Sequence, residues 1–339
     1  MDRTVGGARV MESRTRRRWA RTLFVAALAG ALASIGLIAL ATQSTQRDRI
    51  TAPARGTTRT NLAPSTVTTA PAPPYSVQTS SLALVDPSRT TPQRGSVPAT
   101  PGRVLTTEVW RPEGVAGPLP LIVFGHGWNS DPNAYAPLLL EWAEAGYVVA
   151  APVFPDSADT LPGTPVSDFP DEARDLSFVI TALLGGHEPI DPSRVAVAGH
   201  SDGGSDVALL ALNPAYADHR IRAYLSLSSE LPAAVAGPWD SPTPGTLLVA
   251  VGTADEYGLL PKATEVYQTA DMAKALLTIA GGDHLGPFVG MSPQSQSVRA
   301  ETLRFLRLAL GPGAVTPTDL AAALGPPPDP SIDVTTGAG

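Results

Sequence analysis

The run Gly199-His200-Ser201-Asp202-Gly203 has the residue types and spacing of a nucleophilic site. It follows the apolar stretch 194–198 and precedes a helical pattern, so it fits a tight strand-to-helix turn that carries the serine. Such a turn tolerates only small residues two places on either side, where Gly199 and Gly203 stand. The pattern predicts that Ser201 is raised above a sheet edge and attacks a carbonyl carbon, with an acyl-enzyme as intermediate.

A nucleophilic serine needs a general base, and only one of the 5 histidines lies well downstream of Ser201. This residue, His284, follows the last apolar strand pattern within Gly281-Gly282-Asp283-His284-Leu285. In a strand–turn–helix sheet the catalytic groups follow the chain order serine, acid, histidine. His284 is therefore the predicted base, and the other interpretation is an ordinary histidine of a surface loop.

The acid that orients the base should end a strand between Ser201 and His284. Asp255 meets this condition, because it comes after a short turn that follows the apolar run 247–251. Its neighbour Glu256 is one alternative, and Glu230, after the preceding strand, is another. Asp255 can also be explained as a turn aspartate that caps the next helix.

The oxyanion of an acyl-transfer reaction needs two hydrogen-bond donors, usually backbone N–H groups. The residue after the nucleophile, Asp202, supplies one. The loop Gly125-His126-Gly127-Trp128, which follows an apolar strand, is expected to supply the other through the N–H of Trp128. His126 and His200 are expected to brace or pack, while His187 and His219 fit a solvated surface.

Apolar runs alternate with helical patterns through the middle of the chain. The predicted strands are 76–85, 104–110, 119–124, 147–152, 195–198, 223–227, 246–251 and 275–279. The predicted helices are 133–145, 171–184, 201–212, 261–270 and 295–310, with Asp131-Pro132 as an N-cap and first-turn proline for the first. This order indicates an α/β fold: a mostly parallel sheet with helices on both faces, whose ligands bind beyond the C-terminal strand ends.

Composition limits the chemistry and the partners. The chain has no cysteine, which excludes disulfides, thiolate metal ligands and a cysteine nucleophile. Residues 1–60 hold 11 arginines and 3 acidic residues, so the remaining 13 basic and 28 acidic residues make the rest of the chain acidic. That balance argues against nucleic acid as a partner. No metal-ligand spacing or nucleotide fingerprint occurs, and the predicted chemistry needs no cofactor.

The N-terminus combines arginines at 14–21 with an uncharged apolar run, 22–42. The run is long enough to cross a bilayer, and the arginines would stay cytoplasmic. Two interpretations remain open for residues 1–41: an uncleaved anchor that contacts the membrane, or a signal peptide with Ala39-Leu40-Ala41 as its cleavage site. The arginines also fit a twin-arginine export signal loosely. Both place the rest of the chain outside the cytoplasm.

Two Pro-rich flanks surround the predicted catalytic domain, 76–312. Residues 42–75 are mostly Thr, Ser, Ala, Pro and Arg and are expected to form a disordered linker. The tail, 313–339, is Pro/Gly-rich and is expected to be disordered as well, apart from one helical turn capped by Thr318. The segment 228–245 is too short for a cap domain, and 153–169 is expected to form part of the rim of an open cleft.

Several motifs together resemble the α/β-hydrolases, and more narrowly the dienelactone-hydrolase-like group with platelet-activating-factor acetylhydrolase, chlorophyllase-type esterases and bacterial cutinases. In chain order these motifs are Asp86-Pro87-Ser88-Arg89, Glu108-Val109-Trp110-Arg111-Pro112, Gly125-His126-Gly127-Trp128, Glu144-Ala145-Gly146-Tyr147-Val148-Val149-Ala150, Gly199-His200-Ser201-Asp202-Gly203-Gly204, Gly252-Thr253-Ala254-Asp255 and Gly282-Asp283-His284. Ser201 stands where true dienelactone hydrolases have cysteine. The resemblance therefore implies ordinary ester hydrolysis.

The expected function is an extracytoplasmic serine hydrolase that cleaves small-molecule, lipid or polymer carboxylic esters. Trp128, Tyr257 and Phe288 flank the candidate site and could line its pocket. The alternatives are a cell-envelope acyltransferase, a serine peptidase, and a catalytically inactive binding module. An inactive module should lack part of the triad, and no part is missing.

Overall fold

The computed structural model describes residues 74–115, 117–186, 189–240 and 244–338. Within these ranges the strands are β1 (Val77–Thr91), β2 (Thr100–Pro112), β3 (Leu119–Gly125), β4 (Val148–Pro152), β5 (Ile190–His200), β6 (Ile221–Leu227), β7 (Thr246–Gly252), β8 (Ala273–Ile279) and β9 (Ile332–Gly337). The helices are α1 (Ala136–Glu144), preceded by a 3-10 turn (Pro132–Tyr135), α2 (Phe169–Leu184), α3 (Asp202–Leu212), α4 (Leu259–Thr269), α5 (Pro293–Ala309) and α6 (Pro317–Leu324).

All nine strands of the described residues form one sheet in the order β1-β2-β4-β3-β5-β6-β7-β8-β9. The strands from β4 to β8 in this order run parallel. β1 pairs antiparallel with β2, β2 with β4, and β9 with β8. The parallel strands therefore end on one side of the sheet, where β5, β7 and β8 lead into the three loops of the predicted site.

The sheet is buried on both faces because its central strands are apolar along their whole length. Every residue of β3, β4 and β7 is buried. Helices α2, α3 and α4 pack on one face, and α1, α5 and α6 pack on the other. Continuous apolar strands are typical of parallel sheets covered on both sides. The predicted α/β architecture is confirmed.

The local capping signals gave one correct and one wrong prediction. Asp131 caps the first helical turn, since its side chain accepts the N–H of Asn133 and Pro132 follows it. The last helix is capped by Thr316 rather than by Thr318. The Thr316 hydroxyl accepts the N–H of Asp319 while the Asp319 carboxylate accepts the N–H of Thr316, which is a capping box.

The prediction that residues from about 313 onward form an unstructured flank is wrong for the part that the structure describes. Helix α6 buries Leu320 and Leu324 against the sheet. Strand β9 pairs with β8 from Ile279 to Lys274. Prolines and glycines make up 9 of the 27 residues at 313–339. The few apolar side chains of this segment nevertheless reach a sheet edge, and the β8 backbone supplies the hydrogen bonds.

Other sequence predictions concern the ends of the chain and the connections. The predicted export or anchor segment and almost all of the predicted linker lie outside the described residues. Among the described residues, no helix has both the length and the apolar character needed to cross a bilayer. Between β6 and β7, residues 228–240 and 244–245 contain no helix or strand, so the sheet carries no cap domain there.

Candidate active site

Ser201 stands at the turn between β5 and α3 in a backbone conformation that is rare for residues with a side chain. Its φ is 58° and its ψ is −120°, in a region that costs free energy for any residue except glycine. Its N–H donates to the carbonyl oxygen of Leu227 over 2.9 Å. This bond ties the strained turn to the end of the neighbouring strand.

The two glycines around Ser201 are required by close backbone contacts. A Cβ atom built on Gly199 would lie 2.1 Å from the carbonyl oxygen of Gly203. A Cβ atom built on Gly203 would lie 2.2 Å from the carbonyl oxygen of Gly125. The strand end, the start of the helix and the loop after β3 can therefore meet only if these positions have no side chain.

Three side chains from three loops form one hydrogen-bonded row. His284 Nε2 lies 3.0 Å from the hydroxyl oxygen of Ser201. His284 Nδ1 lies 2.8 Å from Oδ2 of Asp255. His284 and Asp255 are 4% and 9% exposed, so water competes little for these bonds. The row can pass a proton from the serine to the imidazole while the carboxylate balances the charge that forms.

The environment of Asp255 favours its ionised form. Burial alone would raise the pKa of this carboxyl, but the hydrogen bond and charge of His284, with the N–H of Tyr257, outweigh it and lower the pKa. Tyr257 N–H donates to Oδ1 over 3.0 Å. The carboxylate is therefore held by two donors, which fixes the oxygen that faces His284.

The two alternative acids have other partners. Glu230 forms an ion pair with Lys262. Glu256 accepts the backbone N–H of His284 over 3.0 Å, so it holds the backbone of the base rather than its ring. Among the three candidate acids, Asp255 is the one whose carboxylate is hydrogen-bonded to the imidazole.

The loops that carry Asp255 and His284 are joined directly to each other. The N–H of Ala254 donates to the carbonyl oxygen of Gly282 over 2.9 Å, and the N–H of Thr253 donates to that of Ile279 over 2.9 Å. A Cβ atom on Gly252 would lie 2.1 Å from the carbonyl oxygen of Gly282. This contact brings Asp255 and His284 within hydrogen-bond distance although they are 29 positions apart in the chain.

The loop after β3 lies against the nucleophile, as the predicted position of the oxyanion donors requires. A Cβ atom built on Gly127 would lie 3.1 Å from Cβ of Ser201. Among the described residues, neither the N–H of Trp128 nor that of Asp202 donates to a protein group. Asp202 is the first residue of α3, where backbone N–H groups have no partner within the helix. Both donors are thus available to a ligand oxygen.

The histidines before and beside the nucleophile are buried and hydrogen-bonded. His126 lies 2.9 Å from the carbonyl oxygen of Gly127 through Nδ1, and its Nε2 accepts the N–H of Phe154. Burial lowers the pKa of His126 to about 4. His200 contacts the Tyr135 hydroxyl and the carbonyl oxygen of His284. His219 is exposed, and His187 lies outside the described residues.

Comparison with known proteins agrees with this fold. A family model described as chlorophyllase matches residues 84–232. A ferulic acid esterase from Streptomyces cinnamoneus superimposes with a TM-score of 0.58 at 20% sequence identity, covering 79% of this chain and 98% of that chain. It is one of 1079 matching chains of solved structures. No curated protein matches the sequence. The chain has the fold of the α/β-hydrolases.

The family model and the solved structure together support a carboxylic ester hydrolase. The matched family segment includes the loop 125–128 and the turn that carries Ser201, but it ends before Asp255 and His284. The fold is shared by many enzymes with different substrates, so the structural match identifies the architecture and not the substrate.

Two of the three aromatic residues predicted to flank the candidate site are exposed. Trp128 is 41% exposed and Tyr257 is 54% exposed, and the Tyr257 ring lies 4.7 Å from that of His284. Phe288 is only 2% exposed and packs on the His200 ring at 5.0 Å. Phe288 therefore supports the site from behind instead of lining an accessible pocket.

The predicted rim segment contacts the nucleophile turn. The Ser167 hydroxyl donates to the Asp202 carboxylate. Burial, together with the charge of Glu230, raises the pKa of Asp202, while the bond from Ser167 opposes this rise. Residues 153–169 are thus fastened to the start of α3 beside Ser201.

Sequence reasoning missed Tyr135, whose hydroxyl lies 2.9 Å from His200 Nδ1. The cap at Asp131 placed Tyr135 in a helical turn, but no local pattern shows that its hydroxyl reaches a residue 65 positions away. The described residues contain no group of His, Asp or Glu side chains that could hold a metal ion.

Proposed function

We propose that this hydrolase is an extracytoplasmic serine esterase with Ser201, His284 and Asp255 as its catalytic triad. Ser201 attacks the ester carbonyl, and His284 takes the serine proton and passes it to the leaving alcohol. Asp255 orients His284 and stabilises the imidazolium. Water, activated by His284, then attacks the acyl-enzyme and releases the acid.

The oxyanion that forms in both steps is held by the backbone N–H groups of Trp128 and Asp202. Two features support this assignment: the loop 125–128 touches the nucleophile, and both N–H groups have no protein acceptor among the described residues. The start of α3 adds the positive end of a helix dipole at the same place.

The observation that carries the proposal is the row of hydrogen bonds from Ser201 through His284 to Asp255, at 3.0 and 2.8 Å. A serine, a base and an acid in this order satisfy the geometric condition for an activated nucleophile. The strained backbone of Ser201 supports the same role, since such conformations cluster at active sites.

The surface near the triad favours esters with an apolar or aromatic group. Trp128 and Tyr257 are exposed beside the oxyanion loop and His284, and the connection after β6 carries no cap that would cover them. The structural neighbour is described as a ferulic acid esterase. We include esters of aromatic acids among the candidate substrates, with lipid and polymer esters.

The location outside the cytoplasm rests on the sequence of the first 42 residues. We infer a segment at 1–41 that acts as a signal peptide or a membrane anchor, a linker at 42–75, and a catalytic domain that begins near 76. In an anchored protein the linker would hold the catalytic domain away from the bilayer.

Labelling with a fluorophosphonate tests the nucleophile. Wild-type protein should be labelled, Ser201→Ala should not, and Ser193→Ala should be labelled like wild type. Ser193 is an exposed serine at the opposite end of the same strand, β5, which makes it a matched control. Equal labelling of wild type and Ser201→Ala would overturn the assignment.

A substrate panel then tests the reaction class. The panel contains short p-nitrophenyl esters, feruloyl esters, phospholipids, polyester films and peptides. The products formed from each substrate are measured in water alone and in water with an added alcohol acceptor. Ester hydrolysis that needs Ser201 supports the proposal. Cleavage of peptides alone, or transfer to alcohols without hydrolysis, would instead favour a peptidase or an acyltransferase.

A further inference from the structure

Three buried side chains connect the loop 125–128 to the loop of His284, and one of them, His200, also packs against the His284 ring at 4.7 Å. His126 is fully buried, and Tyr135 and His200 are each 1% exposed. Tyr135 comes from the turn before α1, His126 from the loop after β3, and His200 from the end of β5. Their polar atoms meet at Gly127 and at the carbonyl group of His284.

The proton positions in this network follow from the partners of each atom. His200 Nε2 lies 2.8 Å from the carbonyl oxygen of His284, which can only accept, so Nε2 carries the proton. Burial, with the nearby charge of His284, lowers the pKa of His200 well below its usual value, so its Nδ1 is an acceptor. The Tyr135 O–H therefore donates to Nδ1 over 2.9 Å.

The chain of bonds continues from Tyr135 to the oxyanion loop. The N–H of Gly127 donates to the Tyr135 oxygen over 3.3 Å. On the other side, His126 Nε2 accepts the N–H of Phe154, so His126 Nδ1 carries the proton and donates to the carbonyl oxygen of Gly127 over 2.9 Å. Both backbone polar groups of Gly127 are thus held by buried side chains.

Holding the carbonyl group of Gly127 also sets the direction of the next N–H. The peptide bond between Gly127 and Trp128 is trans, so the carbonyl oxygen of Gly127 and the N–H of Trp128 point in opposite directions. A carbonyl fixed toward His126 turns the N–H of Trp128 away from His126. The orientation of this donor beside Ser201 therefore depends on side chains that never touch a substrate.

We propose that Tyr135 and His200 are positioning residues that hold the oxyanion donor of Trp128 and the base His284 in a fixed relation, with His126 fixing the same donor from the opposite side. The inference rests on the proposed function. An oxyanion donor acts mainly in the transition state, so its loss of position lowers kcat more than it changes KM.

Tyr135→Phe is the primary test, because it removes one oxygen and keeps the ring that packs on Phe124 at 4.8 Å. Loss of a whole oxyanion donor costs about 10²–10³ in kcat. Loss of its support should cost less, about 10-fold to 100-fold, with KM changed by no more than about twofold. Tyr147→Phe is the matched control, since Tyr147 is buried in the same face of the core but outside the network.

A transition-state analogue separates positioning from general damage. The affinity of a trifluoromethyl ketone should fall in Tyr135→Phe by the same factor as kcat/KM, while the affinity of the product acid stays near that of wild type. Unchanged kcat, a rise in KM alone, or an equal loss in Tyr147→Phe would overturn the proposal.

His200 provides a second test that does not depend on Tyr135→Phe folding well. His200→Gln retains one donor and one acceptor, whereas His200→Leu retains neither. The glutamine variant should keep several-fold more kcat than the leucine variant, and equal kcat in the two would contradict the network. Activity that survives in Ser201→Ala would refute the proposed function itself, which is a different outcome from either of these.

Discussion

Asp255 and Glu256 are neighbours in the chain, yet their carboxylates hold different parts of His284. Asp255 binds the imidazole Nδ1, and Glu256 binds the backbone N–H of the same residue. Glu230, whose position after a strand made it a candidate acid, pairs with Lys262. At the scale of single residues, the role of a carboxylate depends on which donor it reaches.

Asp255→Asn should lower kcat for a p-nitrophenyl ester by about 10³–10⁴-fold, because an amide cannot hold His284 in the tautomer that accepts the serine proton. Glu230→Gln is the matched control and should stay within a few-fold of wild type. The measurement is kcat at saturating substrate, with the melting temperature of each variant as a check on folding. A greater loss in Glu230→Gln than in Asp255→Asn would reverse the assignment of the acid.

At the scale of elements, one buried arginine joins a strand, a helix and the rim of the site. Arg103 of β2 is fully buried, and its Nε lies 2.7 Å from Oδ1 of Asp175 on α2. Its second contact is Asp156, at 2.8 Å, in the segment after β4. That segment also carries Ser167, which bonds to Asp202 at the start of α3. The network therefore links the core to the nucleophile turn.

Arg103→Met should reduce the free energy of unfolding by about 3–5 kcal/mol, because it leaves two buried carboxylates without their main counter-charge. Arg174→Met removes an exposed ion pair with Asp171 on the same helix and should cost less than about 1 kcal/mol. Urea denaturation measures both. The double variant Arg103→Met with Asp175→Leu should lose less than the sum of the two single variants, and full additivity would contradict this account.

At the scale of the whole molecule, the packing of α2 against α3 buries two carboxyl groups beneath the active site. Glu172 and Asp206 are both fully buried. Burial raises the pKa of Glu172, and burial with the charge of Glu172 raises the pKa of Asp206, both well above the usual values. Among the described residues, the carboxyl oxygens of Asp206 have no hydrogen-bond partner. The folded protein therefore holds protons here that the unfolded chain releases.

This pair predicts a pH dependence of stability. Because the folded state binds more protons, the free energy of unfolding falls as the pH rises from the ordinary carboxyl pKa, near 4, through the raised pKa of the folded protein. The amide in Asp206→Asn cannot titrate, so this variant escapes the loss of stability that wild type shows as the pH rises. The melting temperature of Asp206→Asn minus that of wild type should therefore increase from pH 5 to pH 8. Glu265→Gln, at an exposed position of α4, is the control. A constant difference between Asp206→Asn and wild type would refute the prediction.

Local patterns predicted the central sheet well because its strands are buried on both faces and are therefore apolar throughout. The C-terminal ends of β3, β5, β6 and β7 lie within two residues of the ends predicted from the sequence. The same reasoning missed β9, because an edge strand buries few side chains. In β9 only Ile332 is buried, while pairing with β8 supplies the backbone bonds that no sequence pattern displays.

The sequence by itself determined the fold class and, from residue type and chain order, the candidate nucleophile, the candidate base and three candidate acids. Only the tertiary structure decided which carboxylate meets His284, how Gly127 is held, and that the tail joins the sheet. The physical reason is that strand and turn signals act over a few residues, whereas these contacts join residues far apart in the chain. Such pairings depend on where the sheet places each loop, which local sequence does not encode.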